Sequence, residues 1–144
     1  MIRSLLELCD WLRHRARKRV WSPDLASGRR GEDLAHRFLQ RRGLRVVARN
    51  YRALSGAGEI DLVAWDGDRL AFVEVKARRT DEFGAPDRAV DREKQLALVR
   101  AAREYARRAR IEWNQVRFDV VSVVFGDPPA LTHIKDAFPP EQAL

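Results

Sequence analysis

The sequence predicts an α/β fold, a mixed β-sheet flanked by helices in the order α-β-β-β-α-β-β, with an extra basic helix ahead of it. Three observations carry that prediction. Apolar residues recur at helical spacing around residues 32–42 and 91–110, five shorter stretches are alternating or β-branched, and Gly, Pro and Asp-Gly breakers separate them. The 144 residues fit one domain.

At the N-terminus, Ile2, Leu5, Leu6, Cys9 and Leu12 follow helical spacing and run into the block Arg13-His14-Arg15-Ala16-Arg17-Lys18-Arg19, so residues 1–27 read as a basic amphipathic appendage. Ser22-Pro23-Asp24 and Ser27-Gly28 read as a linker, which places the domain at residues 28–138. The first domain helix is expected from Glu32 to Arg42, with Leu34, Ala35, Phe38 and Leu39 inward and Gly43 as its stop. Leu44 to Tyr51 forms a first strand, Gly56-Ala57-Gly58 breaks it, and Glu59 to Trp65 forms a second. Asp66-Gly67 then reads as a two-residue hairpin turn into a third strand, Arg69 to Ala77, completing a meander. Gly84 and Pro86 mark Arg78 to Val90 as a loop near the working edge. A helix from about Asp91 to Arg110 follows, burying Leu98, Val99, Ala102, Tyr105 and Ala106. Val116 to Phe125 is a dense β-branched strand, Gly126-Asp127-Pro128-Pro129 turns it, Ala130 to Ile134 is a last short strand, and residues 139–144 fray as a tail.

Composition narrows the function. No run approaches the ~18 uncharged apolar residues of a membrane span, and Glu7, Asp10 and Arg13 interrupt the N-terminal apolar stretch, so a cytoplasmic protein is expected. Cys9 is the only cysteine, which excludes an internal disulfide and a cysteine-based zinc site. No Gly-x-Gly-x-x-Gly opens a helix and no Walker-type loop occurs. The 28 basic residues against 21 acidic give a net charge of +7, which points to a polyanionic partner. Residues 1–30 hold eight of the basic side chains and three of the acidic ones, so the appendage carries most of the excess.

The third strand holds the candidate chemistry. Its period of two puts Phe72, Glu74 and Lys76 on one face and Ala71, Val73 and Val75 on the other. With Asp66-Gly67 as the turn, Asp61 falls opposite Phe72 and Glu59 opposite Glu74, so Asp61 shares the Glu74 and Lys76 face as a diagonal neighbour of Glu74. Two carboxylates at that spacing can grip one hard cation, Mg²⁺ or Mn²⁺, which lowers the pKa of a bound water for attack on phosphorus. A lysine beside them can orient the water or neutralise charge on the phosphoryl oxygens.

Four segments, Gly31-Glu32-Asp33-Leu34-Ala35, Gly58-Glu59-Ile60-Asp61-Leu62-Val63, Phe72-Val73-Glu74-Val75-Lys76 and Arg117-Phe118-Asp119-Val120-Val121, resemble the YraN-like family of uncharacterised bacterial proteins. That family is placed in the restriction-endonuclease-like superfamily, with its Asp…Glu-x-Lys signature, and is similar to archaeal Holliday junction resolvases. The resemblance covers about residues 28–138. It implies that Asp61 and Glu74 bind metal, that Lys76 positions the nucleophile, and that Glu32 reaches the metal through water. It also places Lys94 and Gln95 near the scissile phosphate. Ile60 stands where the broader resolvases carry proline, a common variation. A homodimer is the form in which junction-cutting relatives generally work.

Each residue also has a plainer role. Asp61, Glu74 and Lys76 could form an ion-pair cluster on a solvated sheet face, and Glu32 could simply favour a helix N-terminus. Glu59 could pair with an arginine, and Asp119 could accept backbone hydrogen bonds. His14, His36 and His133 lack metal-ligand spacing and read as surface or helix-face residues. Arg15, Arg17, Lys18 and Arg19 suit phosphate contact, anionic lipid or docking on another subunit, and the arginines between 100 and 110 read by default as the wet face of a helix. The leading expectation is a metal-dependent nuclease acting on DNA, with branched substrates suggested by family analogy. The rival is a non-catalytic nucleic-acid-binding module on the same fold, and an RNA-directed enzyme, which would use the same chemistry, is a third reading placed behind DNA.

Overall fold

The structure, a computed structural model, describes residues 23–79 and 92–140. The basic appendage with Arg15, Arg17, Lys18 and Arg19, most of the loop expected at 78–90, and the last four residues lie outside the described residues. Helix α1 spans Pro23–Arg41, β1 Arg45–Arg52, β2 Glu59–Asp66, β3 Arg69–Arg79, α2 Arg92–Ala109, β4 Val116–Phe125 and β5 Ala130–Phe138. The five strands form one sheet in sequential order, antiparallel throughout except for the parallel β3–β4 pair, which α2 connects. This is the expected α-β-β-β-α-β-β order. Among the described residues no helix is long and apolar enough to cross a membrane.

Each face of the sheet carries one helix because alternate residues of its central strands are apolar on both sides. Ala71, Val73, Val75 and Ala77 of β3 pack with Val121 and Val123 of β4 against Ala35 and Leu39 of α1. On the other face Leu70 and Phe72 join Phe118 and Val120 against Leu98, Val99 and Ala102 of α2. Aromatic rings bind that second layer together: Phe72 and Phe118 lie 5.8 Å apart, Phe118 and Phe138 4.8 Å, and Tyr105 meets Phe72 edge-on at 5.6 Å. The two faces of β3 therefore separate as its sequence alternation requires.

Three expectations are corrected. The stretch expected as a linker at Ser22–Gly28 enters α1 at Pro23, since proline suits the first helical turn and has no amide to leave unbonded there. The closing strand runs on to Phe138, beyond the expected end at Ile134. The hairpin turn is Gly67-Asp68, closed by the Asp66–Arg69 pair. Gly67 has φ +62° while Asp68 does not enter the left-handed region, so the turn needs its glycine at the first central position. Val63, not Asp61, thus pairs with Phe72.

His133 is the fourth correction: its side chain is buried against β4 rather than lying on the surface. Its Nε2 lies 2.7 Å from Asp119 Oδ2, and Arg117 Nε donates to Asp119 Oδ1 at 2.8 Å. The Asp136 amide donates to the same carboxylate at 3.0 Å, where the β4–β5 register slips between Phe118 and Val120. Burial alone would raise the Asp119 carboxyl, but the bonds from His133, Arg117 and the Asp136 amide outweigh it and hold it below its ordinary range. Asp119 is thus a structural acceptor, as one reading of its sequence position allowed.

Two outcomes follow from this packing. A Cβ on Gly31 would lie 2.6 Å from the Ala77 Cβ, so Gly31→Ala is expected to cost about 1–3 kcal/mol in urea unfolding, with partial recovery in Gly31→Ala/Ala77→Gly. Asp119→Ala leaves the buried Arg117 with Asp66 as its remaining partner and takes the acceptor from His133, and it is expected to cost about 3 kcal/mol at pH 7. Because the folded carboxyl sits below its unfolded value, the wild type should lose stability as pH falls below ~4. That part of the acid dependence should be absent from Asp119→Ala.

Candidate active site

The β2–β3 ladder stops at Leu62–Val73, although β2 continues to pair with β1 through Glu59 and β3 with β4 through Arg79. The two strands therefore part like a fork. On β1, Asn50 adopts φ +52° opposite Asp61, between the Arg49–Leu62 and Tyr51–Ile60 pairs. Asparagine is among the few residues that tolerate this conformation. Ile60 and Val63 consequently both join the α2-side core while Leu62 joins the α1 side, so the strict alternation of β2 slips by one at Asp61.

Freed from both faces, the Asp61 carboxylate reaches across the fork and accepts the Val75 amide at 2.8 Å. It replaces the strand partner that this amide has lost. This differs from the face-sharing expected of Asp61: it stands between the two faces rather than on that of Glu74 and Lys76. From there it feels acids on both sides. Burial raises its carboxyl well above the ordinary range, the negative charge of Glu74 adds to that, and Glu32 adds further, while the Val75 amide and the Lys94 ammonium act in the opposite sense.

Glu74 and Lys76 occupy successive positions on the α2-side face of β3, opposite Val120 and Ser122 of β4. Only 3% of Glu74 and 2% of Lys76 is exposed, so the solvated-face reading fails. Lys94, in the first turn of α2 and also 3% exposed, places its Nζ 3.5 Å from Glu74 Oε1. Gln95 follows it, half-buried. Glu32 approaches from α1; burial raises its carboxyl, whereas a hydrogen bond with Asn50 and the charge of Arg49, 3.8 Å away, lower it, and Asp33 and Glu74 raise it further. Glu59 stands apart, exposed and paired with Arg52 at 3.2 Å.

The structure thus gathers Asp61, Glu74, Lys94 and Glu32 within electrostatic reach of one another at the fork, with Lys76 one step further along β3. The Lys94–Glu74 ion pair and the role of Asn50 escaped sequence reasoning. Asn50 had a signal, a turn-forming residue inside a strand pattern; the ion pair had none. Among the described residues no three His, Cys, Asp or Glu side chains form a ready-made metal cage. Two carboxylates, those of Asp61 and Glu74, instead match what Mg²⁺ takes from a protein, since it keeps waters and adds oxygens from a phosphate. Burial raises the Asp61 carboxyl first and the neighbouring acids add to it; a bound cation would relieve the second of these.

The model of the uncharacterised protein family UPF0102 matches residues 31–123, which spans α1 to β4 and every residue of the fork. The chain belongs to the UPF0102 family. It is 59% identical to a UPF0102 protein of Solibacter usitatus (strain Ellin6076) over 111 residues, 77% of this chain and 84% of that one. It is 44% identical to a UPF0102 protein of Rhodococcus opacus (strain B4) over 117 residues, covering 80% and 98% of the two chains. The YraN-like resemblance carried by the four sequence segments is borne out by this UPF0102 membership.

The bond across the fork separates two substitutions of Asp61. Asp61→Asn keeps an acceptor for the Val75 amide and removes the repulsion from Glu74, so without divalent metal it should unfold no earlier in urea than the wild type. Asp61→Ala strands that amide and is expected to cost about 1–3 kcal/mol.

Proposed function

We propose that this UPF0102 protein is a divalent-metal-dependent nuclease that hydrolyses phosphodiester bonds in DNA. The observation that carries the reading is the convergence of Asp61 and Glu74 at the fork, with a buried lysine next on the same strand face as Glu74. A structural ion pair requires one acid and one base. Here the acids Asp61, Glu74 and Glu32 repel one another, an arrangement that costs stability and suits a site built to receive positive charge.

Asp61 and Glu74 would hold Mg²⁺ or Mn²⁺, with Glu32 acting through a water. The ion would supply Lewis-acid activation of a water and neutralise charge on the phosphoryl oxygens. Asp61 is fixed by the Val75 amide, so its carboxylate is oriented before any ligand arrives. Lys76, held in the sheet, can orient the attacking water or stabilise the charge that develops on the phosphoryl oxygens. Lys94 neutralises Glu74 in the resting protein and can turn to the scissile phosphate beside Gln95 when a cation takes its place. Branched DNA as the preferred substrate, and action as a homodimer, rest on the likeness to junction resolvases.

The same Lys94–Glu74 pair favours a second reading, in which the acids are permanently satisfied from within and the fold binds nucleic acid without cutting it. Metal separates the two. In a nuclease, DNA cleavage should require Mg²⁺ or Mn²⁺ and fall by at least about 100-fold in Asp61→Asn, Glu74→Gln and Lys76→Met, with DNA affinity in fluorescence anisotropy within a few-fold of wild type. Calorimetric titration of Mn²⁺ should give heat with the wild type and none with Asp61→Asn. Equal heats from both proteins, with no cleavage by either, would leave the binding module.

A further inference from the structure

Three arginines of α2 share a concave surface. Arg100, Arg103 and Arg107 lie at helical spacing and line one cleft with Glu104 and the β1–β2 loop residues Ser55, Gly56 and Ala57. The cleft encloses about 430 Å³. Its single acid is already committed: Glu104 accepts the Tyr51 hydroxyl and the Leu54 amide on one oxygen and the Ser55 amide, at 3.1 Å, on the other. Arg103 stacks on the Trp113 ring, 4.4 Å from its centroid. Among the described residues no carboxylate lies within ion-pair distance of Arg100 or Arg107. Three arginines thus line one concave surface whose loop wall is fixed by hydrogen bonds.

The cleft is joined to the fork by construction. Gly58, three residues before Asp61, abuts α2 so closely that a Cβ there would meet the Ala97 oxygen at 3.2 Å. Ala97 lies midway between Lys94 and Arg100, which are about 9 Å apart along the helix axis. One side of this contact leads to the acids and the other to the arginines.

We infer that the cleft is a phosphate-backbone subsite, in which Arg100, Arg103 and Arg107 hold the DNA strand a short distance from the bond presented to Asp61 and Glu74. Guanidinium forks match phosphate oxygens, and their chemistry fits a polyanionic strand irrespective of its bases. The inference rests on the nucleic-acid reading of the fork but not on catalysis.

Binding of a fluorescent DNA strand to the full chain, followed by anisotropy over a range of salt concentrations, tests it. The variant Arg100→Gln/Arg103→Gln/Arg107→Gln should bind at least 10-fold more weakly, with the slope of log affinity against log salt reduced by about 2. The pair Arg100→Gln/Arg107→Gln, which leaves the Arg103–Trp113 stack in place, should show most of that loss with an unchanged melting temperature. A control with Arg41, Arg42 and Arg45 changed to Gln removes the same charge from another part of the surface and should lose little. Equal losses in control and cleft variants would overturn the subsite, as would an unchanged slope in the cleft variants, while the nuclease reading would stand. No salt-dependent binding by the wild type would overturn both.

Discussion

A hydrogen bond from the Val75 amide to the Asp61 carboxylate, 2.8 Å long, stands where β2 and β3 separate, and the candidate site depends on that separation. Had the ladder continued past Leu62–Val73, residue 61 would project from a sheet face and its neighbours would be fixed by strand alternation. Because the strands part instead, one carboxylate enters the gap and meets side chains from β3, α1 and α2. The position of Asn50 opposite the gap allows β1 to follow the distortion without losing its pairing to β2.

The protein uses the same device twice, with opposite electrostatic results. Asp61 and Asp119 each accept a backbone amide where strand pairing is interrupted. Around Asp119 the neighbours are Arg117 and His133, and its carboxyl is held low. Around Asp61 the neighbours include Glu74 and Glu32, and its carboxyl is driven up. The first environment answers the negative charge and locks β4 to β5. The second leaves it poorly answered. Burial and a hydrogen bond from the main chain are common to both, so the difference in character lies in whether the neighbouring side chains answer the charge or add to it.

Strand content and burial were legible where a single local rule applied. The ten residues of β4 match the β-branched run from Val116 to Phe125, and the two faces of β3 follow its alternation. The hairpin register was not legible, because Asp66-Gly67 and Gly67-Asp68 are both acceptable two-residue turns, and the choice falls to the pairing of Val63 with Phe72. Asp61 was found for an incomplete reason: alternation assigned it a face, whereas a left-handed residue on the neighbouring strand took it out of both. The ion pair between Glu74 and Lys94 joins residues 20 positions apart on separate elements, a distance at which pattern carries no information and only the packing of α2 on β3 decides. His133 was misread for the same reason, since its partner Asp119 lies on the adjacent strand.

Glu104 shows how one side chain can tie two properties of a surface together. It is an acid among arginines, and yet it anchors the turn between β1 and β2 through two main-chain amides and the Tyr51 hydroxyl. A neutral replacement would make this region more basic and would also release the turn that shapes it. Charge and contour can therefore not drift independently here, and a lineage that needed a stronger positive field would have to add it around the rim rather than subtract the acid at its centre.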